Sequence, residues 1–298
     1  MGKDEFRNIT NHHQRIPSNK GTMAETIVEG KDLSLSQRMV KSTKNVHDKS
    51  DRLVNLKLAM VLTSKELYAE AISLFWPIYR ELESLLEENK EHKQLKMLLP
   101  LLETLRRAPM FEEDIKSMLG GSEELAVELQ NRRCTTDENG KQIYTPPELQ
   151  AYIDNLHQLS KENPVVLVAY IYAMYGAIMA GGSIIQRTVK RAFSLKSDKG
   201  VEIFNVDLQG TSFSNIKAFR NEMKRILDEY MKLTPEQEEA VLKEAPMVFV
   251  RNNALVATVK DTTVFASAMT NLYRYLIIIP SIVAGGVAIL AYYRRSSS

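Results

Sequence analysis

One histidine in this chain sits in a pattern that can ligate a metal. His47 lies in the run Lys44-Asn45-Val46-His47-Asp48-Lys49-Ser50-Asp51. On a helix, Thr43, Lys44, His47 and Asp51 occupy adjoining turns of one face. A neutral imidazole with a carboxylate at i+4 can give one ring nitrogen to a metal while an acceptor holds the other. A lone histidine on an amphipathic helix also has a purely structural reading, and the spacing leaves both open. A second pattern is Tyr172-Ala173-Met174-Tyr175-Gly176-Ala177-Ile178-Met179-Ala180-Gly181-Gly182. Glycine inside a helix costs about 1 kcal/mol relative to alanine, so a pair in a long apolar helix asks for a reason. Ala173, Gly176, Ala177, Ala180 and Gly181 make a broad small-residue face, which admits a planar ligand or, more plainly, another helix. The third pattern is Lys217-Ala218-Phe219-Arg220. Its basic pair is either solvated surface or a seat for carboxylates, which arginine recognises well. Taken together, the three describe a histidine below a planar metal macrocycle, a glycine-relieved helix above it, and cations for acidic substituents.

The elements that must position these residues read as helices. The chain has 298 residues with 13 Gly and 10 Pro, short of the roughly 7% and 5% of average usage. Few tight turns argue against a many-stranded sandwich or barrel, so the expected fold is an all-α domain. Net charge +2, with 39 Lys+Arg against 37 Asp+Glu, gives no pull toward nucleic acid. The single cysteine, Cys134, excludes an intramolecular disulfide and a Cys-based zinc site. A reducing compartment follows for the main domain.

Residues 1–32 lack apolar periodicity and read as a flexible arm without a secretory signal, and Phe6 stands where a myristoylation motif needs Ser or Thr. From 33 to 260 the pattern is helical. Ser34 and Gln37 suggest a capping box, and one amphipathic run is expected over Thr63–Glu88. Gly120-Gly121 closes a third helical region, and Asp137-Glu138-Asn139-Gly140 marks a polar turn. Thr145-Pro146 reads as N-cap and N1 of the next helix. A strongly apolar helix runs from Pro164 to about Phe193, Glu202-Ile203-Phe204 suggests extended chain, and helices follow at 213–232 and 235–260. After a linker over 261–274, residues 275–293 carry no charge and are bracketed by Arg274 and Arg294-Arg295, with tyrosines at both ends. Nineteen residues at 1.5 Å rise span about 28 Å, close to a hydrocarbon core. With only 294–298 beyond it, this segment is expected to be a post-translationally inserted tail anchor, the bulk of the protein facing the cytosol.

From about 33 to 256 the chain resembles the heme oxygenase family. The resemblance is carried, in order, by Thr43-Lys44-Asn45-Val46-His47, Phe75-Trp76-Pro77-Ile78-Tyr79, Tyr144-Thr145-Pro146, Tyr172 through Gly182, and Phe249-Val250-Arg251-Asn252. It implies a single helical domain holding heme between a proximal and a kinked distal helix. His47 would be the axial iron ligand, Gly181 and Gly182 would lie over the iron, and Tyr79 and Asn252 match distal-side network positions. Lys44, Tyr172 and Arg220 match propionate contacts beside Thr43, Lys217 is a neighbouring candidate, and Phe249 falls at the pocket wall. The implied reaction opens heme to biliverdin, CO and ferrous iron, using O2 and electrons from NADPH–cytochrome P450 reductase, with heme as both substrate and cofactor. The C-terminal span matches the family's membrane-bound eukaryotic members, which implies the endoplasmic reticulum membrane.

The chain also departs from the family pattern. Many members place an Asp where this chain has Ile178, and that carboxylate holds distal water, which isoleucine cannot do. A neighbouring family Arg is Met174, and two lysines often used near the propionates are Val40 and Ile216. These departures leave two alternatives beside the oxygenase: a heme-binding or heme-sensing protein without catalysis, and a tail-anchored helical adaptor without cofactor. Pro246 and Asp261-Thr262-Thr263 interrupt the heptads that such an adaptor would run into its anchor.

Overall fold

In the computed structural model, residues 33–259 are described. The arm at 1–32, the linker and the 275–293 span lie outside them. The helices begin where local chemistry says they should. Helix α1 covers Leu35–Val61, and α2, Lys65–Ser73, is capped by Ser64, whose hydroxyl accepts the Leu67 N–H at 3.3 Å with Glu66 in the first turn. Helix α3, Trp76–Glu88, has Pro77 in its first turn. The single run expected over 63–88 is therefore two helices, because a proline removes a donor and crowds the preceding turn. A short 3₁₀ turn, Leu95–Met97, leads to α4, Leu99–Leu105, and α5, Ala108–Met118. Helix α6, Glu123–Arg133, is capped by Ser122 and carries acids at its start and arginines at its end.

The expectation of a purely helical domain needs one correction. Cys134–Thr136 and Gln142–Tyr144 form an antiparallel hairpin, β1 and β2, pairing Cys134 with Tyr144 and Thr136 with Gln142. Its loop contains the expected Asp137–Gly140 turn, where the Asp137 carboxylate accepts the N–H groups of Asn139 and Lys141. The next helix, α7, is Pro147–Glu162, with Pro146 at the N-cap rather than Thr145. The shift of one residue follows from the second proline, since a residue before proline is driven out of the helical region, and Pro146 is extended at φ −79°, ψ 177°.

The apolar stretch opened by Pro164 is segmented: a 3₁₀ turn Pro164–Val166, α8 Leu167–Tyr170, a π-helical turn Ile171–Tyr175, and α9 Gly176–Ala192. By length and apolar content Pro164–Ala192 equals a membrane span, and 67% of its most apolar window is buried in the domain; it is the core helix. Gly181 and Gly182 lie in unbroken α-helix, and the irregularity expected at them sits earlier, in the π-turn. Glu202–Phe204, expected as extended chain, is a 3₁₀ turn whose first two N–H groups are taken by a carboxylate from α5. Helix α10, Ile216–Arg225, continues into a π-turn, Ile226–Tyr230. Helix α11, Pro235–Ala257, starts with a full capping box of Thr234 and Gln237 and passes through Pro246 without ending.

Helices α1 and α11, nearly two hundred residues apart in sequence, lie side by side and parallel. Arg38 pairs with Glu238 at 2.9 Å, the rings of His47 and Phe249 are 5.4 Å apart, and Lys57 Nζ donates to the Val259 carbonyl at 2.8 Å. The offset stays near two hundred along the whole contact, as two helices of equal rise require.

Candidate functional site

His47 stands on the exposed side of α1, its side chain 52% accessible. Its Nδ1 lies 3.3 Å from Asp51 Oδ2, so the i+4 carboxylate holds the nitrogen that the spacing predicted. That hydrogen bond, helped by the charges of Asp51 and Asp48, keeps the imidazole pKa above its ordinary value against the opposing effect of burial. Nε2 has no partner among the described residues. Phe249 leans on the ring at an interplanar angle of 56°. A held Nδ1, a free Nε2 and an apolar wall together make a ligand for a soft-to-intermediate metal.

One turn along α11 from Phe249, Asn252 faces a different partner. Its Nδ2 donates to the Met174 sulfur at 3.3 Å, and its Oδ1 accepts from the Tyr152 hydroxyl at 2.9 Å. Tyr79 donates to the Met174 carbonyl at 3.3 Å, within ring-contact distance of Phe111 and Tyr175. Tyr79, Tyr152 and Asn252 therefore converge on Met174 in the π-turn, a kind of irregularity often found at functional sites. Burial raises both tyrosine pKa values, so these phenols stay protonated. Through Phe249 and Asn252, α11 links the histidine of α1 to the core helix.

The two glycines have different surroundings. A Cβ on Gly181 would meet nothing within 4 Å, whereas one on Gly182 would lie 3.2 Å from the Phe204 carbonyl oxygen. Gly182 permits close packing of the 3₁₀ turn, and Gly181 borders open space. Ile178 is buried and apolar. Arg220 is half-buried on α10, and its Nε is enclosed without a hydrogen-bond partner among the described residues. An enclosed guanidinium donor of this kind calls for an acceptor. Lys44 and Lys217 are exposed, and the Tyr172 hydroxyl donates to the Ser36 carbonyl at 3.5 Å. Thr43 is turned into the protein: its buried hydroxyl donates to the Met39 carbonyl at 2.8 Å, so it has no hydrogen to offer a ligand.

Sequence reasoning missed Tyr152 and the polar clusters behind the core helix. Glu244 accepts from Tyr170 at 2.5 Å and Arg251 at 2.6 Å, while Asn155 bonds both Tyr170 and Arg251. Glu83 accepts the backbone N–H groups of Arg107 and Ala108 and the Tyr175 hydroxyl. It thereby caps α5 from a neighbouring helix, and burial raises its pKa. Tyrosines inside an apolar helix were the available signal, since a buried hydroxyl seeks a partner.

Comparison with known proteins identifies the family and the fold. The heme oxygenase family model matches residues 33–258. Heme oxygenase 1 of Rattus norvegicus is 26% identical over 224 residues, covering 73% of this chain and 68% of the relative. The heme-binding protein HMX1 of Saccharomyces cerevisiae is 22% identical over 248 residues, 76% of each chain. Among solved structures, heme oxygenase 2 from Chlamydomonas reinhardtii without heme superposes with a TM-score of 0.66 at 25% identity. It covers 78% of this chain and 100% of that one. Heme oxygenase-1 from Synechocystis in complex with heme gives 0.63 at 19% identity, covering 84% and 100%. The fold is the mostly helical one of these proteins, and the chain belongs to the heme oxygenase family.

Proposed function

We propose that this protein binds heme through His47 and opens it oxidatively to biliverdin, CO and ferrous iron, with electrons from NADPH–cytochrome P450 reductase. The observation that carries the reading is the His47 imidazole, its Nδ1 held by Asp51 and its Nε2 without a partner among the described residues, beside Phe249. The residues present fit the group: a free imidazole nitrogen suits iron, an unpartnered enclosed Arg220 Nε suits a propionate, and the open face at Gly181 suits a flat macrocycle. Bound heme would supply both the iron that activates O2 and the macrocycle that is cleaved.

Each residue then has a task. Asp51 fixes the ring orientation and tautomer of His47. Arg220, with Lys44, Lys217 and Tyr172, would hold the acidic substituents of bound heme. Phe249 packs against the His47 ring, and Gly181 leaves the space beside it free of side-chain atoms. Tyr79 and Tyr152 donate their hydroxyl hydrogens to the Met174 carbonyl and to Asn252, and Asn252 donates an amide hydrogen to the Met174 sulfur. Buried Ile178 neither orders water nor donates a proton. Proton delivery from this side is therefore poor, and slow or less regiospecific turnover is expected. The length and apolar character of the uncharged 275–293 segment support a membrane span, for which we propose the endoplasmic reticulum membrane with the helical domain facing the cytosol.

Ile178 also favours a second reading, a heme-binding protein with little or no oxygenase activity, and one of the relatives is named for heme binding alone. Hemin-loaded protein with reductase and NADPH separates the two. Loss of the Soret band with growth of biliverdin absorbance supports the oxygenase, and an unchanged Soret band leaves binding only. If Ile178→Asp raises biliverdin output strongly, the limitation lies at that position.

A further inference from the structure

Asp114, on α5, is a buried acid that pairs with no cation among the described residues. Its Oδ1 accepts the N–H of Glu202 and its Oδ2 that of Ile203, both at 2.9 Å. These are the first two residues of the Glu202–Phe204 turn. The far side of that turn presses on α9, where the Phe204 carbonyl would stand 3.2 Å from a Cβ on Gly182. Just before the turn, Gly200 has φ +94°, and a Cβ there would meet Met118 Cε, one turn beyond Asp114 on α5, at 2.6 Å. Helix α5 thus grips the 200–204 segment at two levels and holds it against α9.

Resting on the heme reading above, we propose that Asp114 is a positioning residue: by clamping the Glu202–Phe204 turn onto Gly182, it sets the backbone of Gly181 and the open face beside it.

The clamp answers to pH. Asp114 borders a cleft of about 350 Å³, lined also by Glu113, Lys116, Lys199 and Glu202. Burial, with Glu202 adding to it, pushes its pKa up to about 7 against the lowering effect of the backbone N–H groups of Ile203, Glu202 and Gly200. The groups facing it include Tyr68 of α2, held protonated by burial, and Lys199 and Glu202 of the clamped segment. Its own helix adds Glu113 and Lys116, the latter paired with Glu123. An ionised carboxylate serves both amides, and a protonated one carries a hydrogen on one oxygen and serves one of them well. The clamp is tight above pH 7 and slackens below it.

The test uses the full chain in detergent, as wild type and Asp114→Asn. In the hemin-free protein, amide protection at Glu202, Ile203 and Gly182 should fall between pH 8 and pH 6 in the wild type and be low at both in the variant. Hemin affinity of wild type over variant should be about tenfold at pH 8, the worth of one good hydrogen bond, and approach one at pH 6. The ratio cancels protonation of His47, which both proteins share. Equal affinities and equal protection at both pH values overturn the positioning role while leaving heme binding intact. Failure of the wild type to bind hemin at either pH overturns the function and this inference together. Should Asp114→Asn fail to fold, wild-type protection decides alone: a step near pH 7 supports the clamp, and a flat profile overturns it.

Discussion

Helix α1 and the Pro164–Ala192 stretch face the same proposed chemistry and are built in opposite ways. On α1 the reacting group is exposed and its orienting partner lies four residues on in the same helix. In the core stretch, Tyr170, Met174, Tyr175 and Gly182 meet partners from α3, α7, α11 and the Glu202–Phe204 turn. The proposed ligation is thus a local property of one helix, and the arrangement of the core stretch is a property of the whole domain. Changes on α1 should alter binding and spare stability, and changes in the core stretch should disturb both.

The sharpest break of this comparison is His47→Ala. An orienting partner of a metal ligand is typically worth 10–100-fold in affinity, so loss of the ligand itself should cost about a hundredfold or more in hemin affinity. Because the side chain is half exposed, thermal stability of the apoprotein should move by no more than about 0.5 kcal/mol. A large drop in Tm would mean that α1 is not the local device described. Glu244→Ala tests the other side. It strands Arg251 and Tyr170 in a buried cluster, and removing one partner of such a pair costs about 3 kcal/mol, readable as a fall in Tm. A neutral result would show that the cluster behind the core helix is dispensable.

The glycine pair sharpens the comparison within a single helix. Gly181→Ala adds a methyl into open space and should stabilise the apoprotein by about 0.5–1 kcal/mol through helix propensity, while weakening hemin binding. Gly182→Ala should gain less or nothing, because its Cβ meets the Phe204 carbonyl at 3.2 Å. Urea unfolding with hemin titration on both variants checks this. Equal behaviour of the two would remove the distinction. The smallest effect on the stability of the apoprotein belongs to Asp51→Asn, which should lower the His47 pKa in an NMR titration. With its folded pKa raised above the unfolded value, His47 contributes stability below about pH 6.5 and loses it as pH rises through the folded value. For so exposed a pair this amounts to under about 0.5 kcal/mol.

The particular residues explain what could be read in advance. His47 with Asp51, the glycine pair and the start of the helix expected at 235 were visible because each depends on residues within about four positions. The hairpin at 134–144 escaped notice because it is only three residues a side, too short to carry an alternating pattern. The break at Leu74–Phe75 escaped because apolar periodicity continues across 63–88, although Pro77 fits only the first turn of a new helix. Thr43, placed beside the ligands by spacing, is turned inward by a backbone bond to Met39 that the sequence pattern does not register.

The sequence by itself determined the helical class, the pairing of His47 with a carboxylate one turn on and the order of family motifs, since all of these follow from near neighbours and periodicity. Only the tertiary structure decided that Phe249 meets His47, that Tyr79, Tyr152 and Asn252 converge on Met174, and that Gly182 serves packing while Gly181 borders open space. Those contacts join residues about twenty to two hundred positions apart. They exist only once burial of the apolar faces has brought their helices together, a cooperative result that no local spacing encodes.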